Sequence, residues 1–203
     1  MVFLNLFKRE KPTQRINGII RYLGLEAFWL SCSDEEQEAL TRYYQGGIGT
    51  GSKNSPIEGS ISSSSNTVFK YLSAMIGWAT TEKNYSLADK LIGAGKEYPV
   101  LSKNILDAHF FYQEAAECYY KQREIRDDAL DLTIEFCRKD LSILPQYIPI
   151  MKNEYGTIPR ITTIQRLIIV YEKIGKIQEA IDLCNMAIEY KLTDNTKSGF
   201  VGR

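Results

Sequence analysis

From Thr67 onward, apolar positions recur at three- and four-residue intervals with little interruption. Val68, Leu72, Met75, Ile76 and Ala79 form one stripe, and Tyr85, Ala88, Leu91 and Ile92 the next, with Asn84 placed to cap the second helix. Ile105, Phe111, Tyr112, Ala115, Ala116, Tyr119 and Tyr120 predict a longer helix from Asn104 to Arg123. Beyond Arg126-Asp127, Ala129, Leu132, Thr133, Phe136 and Cys137 mark its partner. Pro145, Pro149, Gly156 and Pro159 then break the rhythm, and a short separate helix is expected over Gln146 to Glu154. The last pair sets Ile161, Ile164, Leu167, Ile168, Tyr171 and Ile174 against Ile177, Ala180, Ile181, Cys184, Ala187 and Ile188. Helices joined by links this short pack antiparallel, so the fold class is all-α.

The N-terminal block, residues 1–45, reads as a helical segment that caps the rest. Ile16, Ile19, Ile20 and Leu23 repeat at helical spacing before Gly24, and Ser33-Asp34-Glu35-Glu36 is a capping box opening a helix with Ala39, Leu40, Tyr43 and Tyr44 on its apolar side. Trp29 and Phe28 are expected to fill the space between these helices. Residues 46–66 hold five glycines and seven serines, a composition that does not offset its ordering entropy by burial; a flexible loop is expected there. The helical domain then runs over 67–192, and 193–203 is expected to be a frayed polar tail.

Charge narrows the function. With 25 Lys and Arg against 25 Asp and Glu, no overall field attracts a polyanion, which disfavours nucleic acid as the partner. The apolar run Val2–Phe7 is short, and Lys8, Arg9 and Lys11 follow it, the reverse of a secretory signal. No stretch approaches the ~20 apolar residues that span a bilayer. A cytoplasmic protein without a membrane partner is expected. Cys32, Cys118, Cys137 and Cys184 form no CxxC pair, and Cys118, Cys137 and Cys184 fall on apolar helical stretches and read as buried hydrophobes in a reducing compartment.

No motif for chemistry survives inspection. Gly46–Lys53 fails as a phosphate loop, because Ser52 separates Gly51 from Lys53 and Asn54 stands where a hydroxyl is needed. The single histidine, His109, reads as a hydrogen-bonded structural residue. Glu114 with Glu117, and Asp127 with Asp128, read as solvated helix faces and helix-start charges. No serine sits in a G-x-S-x-G setting. The expectation is a non-enzyme without metal or cofactor.

Leu167, Tyr171, Gly175, Ala180 and Ala187 stand at separations that resemble the tetratricopeptide repeat, a 34-residue helix-turn-helix unit. Ile164, Ile168, Cys184 and Leu192 depart from its usual residues. Weaker echoes surround Ala129 with Tyr119 and Ala115-Ala116, and Ala88 with Leu72, Met75 and Tyr85; the alanines Ala88, Ala129 and Ala180 are 41 and 51 residues apart. The resemblance implies a short, irregular stack of hairpins acting as a protein- or peptide-binding scaffold or adaptor. By the same resemblance, first helices line the groove: Lys70, Ser73 and Gly77; then Phe110, Gln113, Glu117, Tyr120 and Lys121; then Thr162, Gln165, Ile169, Glu172 and Lys173. The basic set with which some such domains clamp a C-terminal carboxylate is not reproduced, since only Lys70 and Arg166 are suitably placed. The alternative is a regulatory subunit or nucleic-acid-associated regulator that uses Lys8, Arg9, Lys11 and Arg15 as a basic arm. Exposed end faces of a short stack leave room for self-association.

Overall fold

The computed structural model describes residues 15–47, 54–194 and 196–203. Among them every regular element is helical, and none is long and apolar enough to cross a membrane. The chain divides into two compact units, Met1–Ser64 and Ser65–Arg203.

The first unit holds α1 (Gly18–Leu23), α2 (Glu26–Ser31) and α3 (Asp34–Gly46). Gly24 ends α1 in the left-handed region at φ 70. The Ser33–Glu36 capping box is formed in both directions, with Ser33 N donating to the Glu36 carboxylate and Glu36 N to Ser33 Oγ. Ile19, Ile20, Leu25, Trp29, Leu40 and Tyr43 make the core, whereas Phe28 and Tyr44 are half-buried.

The serine- and glycine-rich segment departs from expectation. Residues 54–59 are tied to the start of α1: Asn17 N donates to Ile57 O at 2.9 Å, Gly18 N to Gly59 O at 3.1 Å and Ile20 N to Pro56 O at 3.1 Å, and Ile57 is buried. A composition argument counts side chains, but here the segment contributes backbone carbonyls to N–H groups that a helix start leaves unpaired. A Cβ on Gly18 would stand 2.5 Å from the carbonyl oxygens of Pro56 and Glu58, so only glycine admits the strap.

The second unit holds α4 (Val68–Thr81), α5 (Tyr85–Lys96), a 3-10 turn (Ser102–Asn104), α6 (Ile105–Lys121), α7 (Ala129–Tyr155), α8 (Thr162–Lys173) and α9 (Ile177–Glu189). Packing follows chain order. α4 meets α5 and α6, α6 meets α7, α7 meets α8, and α8 meets α9. Thr67 caps α4 by accepting from Lys70 N and also donates to Asp107 of α6 at 2.8 Å; Asn84 caps α5 through Leu87 N. Phe111 of α6 is the hub of the core, with ring centroids 5.3 Å from Phe69 of α4 and 6.4 Å from Phe136 of α7. Arg126, in the link before α7, pairs with Asp89 of α5 at 2.7 Å and with Asp128.

α7 corrects the second expectation. The short separate helix over Gln146 to Glu154 is instead the end of one 27-residue helix that runs through Pro145 and Pro149. Each interior proline costs about 3 kcal/mol in lost bonding and crowding. Both prolines are exposed, while Leu144, Tyr147, Ile148 and Met151 are buried. Burial of large apolar side chains, at about 2 kcal/mol each, offsets the cost.

The C-terminal segment is also folded against expectation. Asp194 is buried, accepting from Thr196 N and Oγ1 and from Arg203 Nε, while its carbonyl accepts from Gln165 of α8 at 3.0 Å. Phe200, in a 3-10 turn over Gly199–Gly202 that packs on α9, is buried.

Two glycines of α5 give a paired test of the packing. A Cβ on Gly95 would overlap the Phe111 ring at 2.2 Å, whereas one on Gly93 meets nothing within 4 Å. Gly95→Ala is expected to lower unfolding free energy by about 1–3 kcal/mol, and Gly93→Ala to raise it by up to about 1 kcal/mol, both read by urea denaturation. Equal effects would contradict this arrangement of α5 on α6.

Candidate functional site

The core of the second unit contains a polar knot. Asp140, fully buried in α7, receives His109 Nδ1 of α6 at 2.6 Å, and its second oxygen receives Tyr147 OH at 3.3 Å and Thr163 Oγ1 of α8. The imidazole lies against the Tyr147 ring, centroids 4.2 Å apart. Burial, and then the Asp140 charge, push the Tyr147 hydroxyl far up, and the same two causes raise the Cys137 thiol. Among the described residues no hydroxyl or thiol is hydrogen-bonded to the imidazole, and Thr163 is committed to the carboxylate. The knot joins three helices. All four cysteines are buried free thiols, and no three His, Cys, Asp or Glu converge as a metal set among the described residues.

Beside the knot, the stack opens. α6 lies closely along α4 but only grazes α8; α7 continues past Pro149 to Tyr155 before the chain returns through Gly156, at φ 71, and Pro159. The interval is a cleft of about 260 Å³, lined by Gln113, Glu114 and Glu117 of α6, Arg160 of the link, and Thr162, Gln165, Arg166 and Ile169 of α8. Arg166 closes one end. Its guanidinium pairs with Glu117 at 2.5 Å and lies 3.8 Å from the Tyr120 ring centroid. Glu114 is the second acidic group of the lining. Among the described residues it has neither a hydrogen bond nor an ion pair, and burial, followed by the Glu117 charge, raises its carboxyl above the ordinary 4.5 against the opposing charge of Lys121. Its carboxylate rests over Gly77 of α4, where a Cβ would stand 3.3 Å from Oε2.

Five of the positions that the repeat register assigns to a groove meet in this cleft: Gln113, Glu117, Thr162, Gln165 and Ile169. The rest are dispersed or committed. Lys70, Phe110 and Lys121 are exposed away from its lining, and Phe110 leans on the His109 ring at 5.0 Å. Ser73 is buried and donates to Phe69 O, so it is no groove residue. Tyr120 is not an open anchor either: it is buried under Arg123 and Arg166, and its hydroxyl receives Lys173 Nζ at 3.3 Å. Glu172 pairs with Arg203 at 3.5 Å. Lys8, Arg9 and Lys11 lie outside the described residues.

Glu114, Arg160 and Arg166 were not in the sequence-derived groove set. Reading Glu114 as a solvated face missed its burial, although its place one residue past Gln113 and three before Glu117 was a usable signal. Arg160 follows Pro159 in a link, where no periodicity points to it.

A larger open hollow of about 550 Å³ on the first unit is lined by Trp29, Asp34, Gln37, Glu38, Thr41, Arg42 and Ser55. Its central polar groups serve the fold. Gln37 donates to the carbonyls of Trp29 and Cys32, and Thr41 donates to Gln37 O. No protein-family model matches the chain, and no curated protein or solved structure is detectably similar to it.

Two outcomes follow. Asp140→Ala strands buried partners on three helices and is expected to cost about 3 kcal/mol or more in chemical denaturation. Because the Glu114 carboxyl is raised in the folded state, the native protein binds the extra proton between 4.5 and that raised value, so stability declines as pH rises through this window. Glu114→Gln is therefore expected to melt higher than the parent at neutral pH, with the difference closing toward pH 4.5; a pH-independent difference would contradict the burial of this carboxylate.

Proposed function

We propose that this chain is a protein- or peptide-binding scaffold of the tetratricopeptide-like class, without catalytic activity of its own, and that a partner segment docks in the α6–α8 cleft. The observation that carries the reading is the convergence there of Gln113, Glu117, Thr162, Gln165 and Ile169, residues selected from the hairpin register alone. The final hairpin supports it. Leu167 and Tyr171 of α8 and Ala180 and Ala187 of α9 are buried, Gly175 turns the chain at φ 77, and Lys176 N donates to Tyr171 O at 2.9 Å. Small residues seven apart let α9 approach α8 closely.

The lining suits an extended polypeptide. Gln113 presents an amide that pairs with a backbone in either direction, Ile169 offers an apolar contact, and Glu114 adds a carboxyl beside Glu117. Such a mixture of polar rim and apolar contact is what non-obligate recognition surfaces show.

The test uses substitutions that leave the knot and Tyr120 untouched. Gln113→Trp fills the cleft and Glu114→Lys replaces its carboxyl with an ammonium. Immobilised full-length chain and each variant are compared by affinity capture with quantitative mass spectrometry. At least one protein retained by the parent is expected to be lost from both variants, while circular dichroism melts stay within a few degrees. An identical set of captured proteins would remove the cleft from consideration as the docking site.

A further inference from the structure

Two of the residues that the hairpin register assigns to the groove are already held by the chain itself. Gln165, which lines the cleft, donates its side-chain amide to the Asp194 carbonyl at 3.0 Å, and Glu172 accepts from Arg203 at 3.5 Å. They stand seven residues apart on α8, within about 20° of one another round the helix, with Ile169 of the cleft lining between them. The segment after α9 therefore reaches α8 on the side that supplies the cleft wall.

That segment is closed on itself and thinly attached to the helices. The Asp194 carboxylate is buried, yet its bonds stay within the segment: one oxygen accepts from Thr196 N at 2.9 Å and Thr196 Oγ1 at 2.7 Å, the other from Arg203 Nε at 3.3 Å. A carboxylate satisfied in this way keeps its partners when the segment leaves the helices, so undocking strands no buried charge. α8 holds the segment through the Gln165 amide and one part-exposed ion pair, and α9 holds it through the 3-10 turn that carries Phe200. Phe200 is its buried anchor, whereas Thr196, Lys197, Ser198 and Val201 are exposed. Segments with few buried apolar groups are the ones that open without global unfolding.

We propose that residues 194 and 196–203 form an autoinhibitory strap, resting on the reading that the cleft is the docking site. The strap undocks from α8 and α9 as a unit and releases Gln165 and Glu172 to a partner segment that offers them what the strap offers, a backbone carbonyl for the Gln165 amide and a lysine or arginine for the Glu172 carboxylate. While the strap is closed, only the open fraction of molecules is competent, and apparent affinity falls by that fraction.

The experiment follows the isotope-labelled full chain by NMR, with a synthetic peptide of residues 193–203 as the probe. Phe200→Asp removes the anchor, and Arg203→Glu breaks the attachment to Glu172 from an exposed site, so a misfolded Phe200 variant does not decide the outcome. In both, the Gln165 side-chain amide resonance is expected to move on release of the strap, and the added peptide to return it. The peptide is expected to bind each released chain at least about tenfold more tightly than the parent, whose own strap competes at millimolar effective concentration. Proteins whose capture Gln113→Trp abolishes are expected to be retained about threefold or more in excess of the parent by both released chains. An unmoved Gln165 resonance, a peptide that binds neither released chain, or cleft-dependent proteins retained no better on release each overturns the strap and leaves the cleft standing. Absence of any captured protein that depends on Gln113 overturns the cleft, and the inhibitory role of the strap with it, even where the peptide exchanges.

Discussion

The arrangement of α6, α7 and α8 depends on a carboxylate that has no access to water. Removing such a group from solvent costs several kcal/mol unless each lone pair is met, and at Asp140 the partners come from three helices: His109 of α6, Tyr147 of α7 and Thr163 of α8. An apolar core tolerates small slides between helices; this knot does not, because a shift of one helix strands a buried donor. The cleft inherits that constraint. Gln113 and Glu117 stand one and two turns beyond His109 on α6, and Thr162 adjoins Thr163 at the start of α8. The knot thus holds both walls of the candidate site at a set separation without touching any partner itself.

Around it, packing distance is graded by side-chain size. Gly95 admits the Phe111 ring, Gly77 admits the Glu114 carboxylate, and Ala180 and Ala187 admit α8. Where those small residues occur, helices meet closely; between α6 and α8 the contact is taken by Glu117, Tyr120 and Arg166, long side chains that bridge an open interval. Close packing and an adjacent cleft therefore arise from the same backbone path. On α9, Ile177, Ile181 and Ile188 stay exposed, whereas α7 is packed against α8.

Much of the helical layout was legible along the chain. Gly24, the Ser33–Glu36 box and the Asn84 cap are local signals, settled within one helical turn, and each stands where its residues place it. The stripes of α4, α5 and α6 were equally readable, since periodicity reports burial directly. The failures share another cause. Pro145 and Pro149 stop a helix only when nothing distant offsets their cost, and the strap at 54–59 looks unstructured only if its carbonyls have no donors to meet. Tyr120 and Ser73 were assigned to a surface because a helical wheel cannot show a guanidinium arriving from another helix or a hydroxyl turning back to its own backbone.

By itself, the sequence determined that this protein is built of helices, where most of them begin and end, and which small residues permit close approach, because those properties depend on neighbours within a few positions. Only the tertiary structure decided that His109 and Thr163 meet at Asp140, that Glu114 is half-buried, and that Ile177, Ile181 and Ile188 of α9 stay exposed. The knot joins residues 31 and 23 positions apart, and burial at Glu114 and exposure along α9 are set by which other helices pack there, which no local pattern encodes.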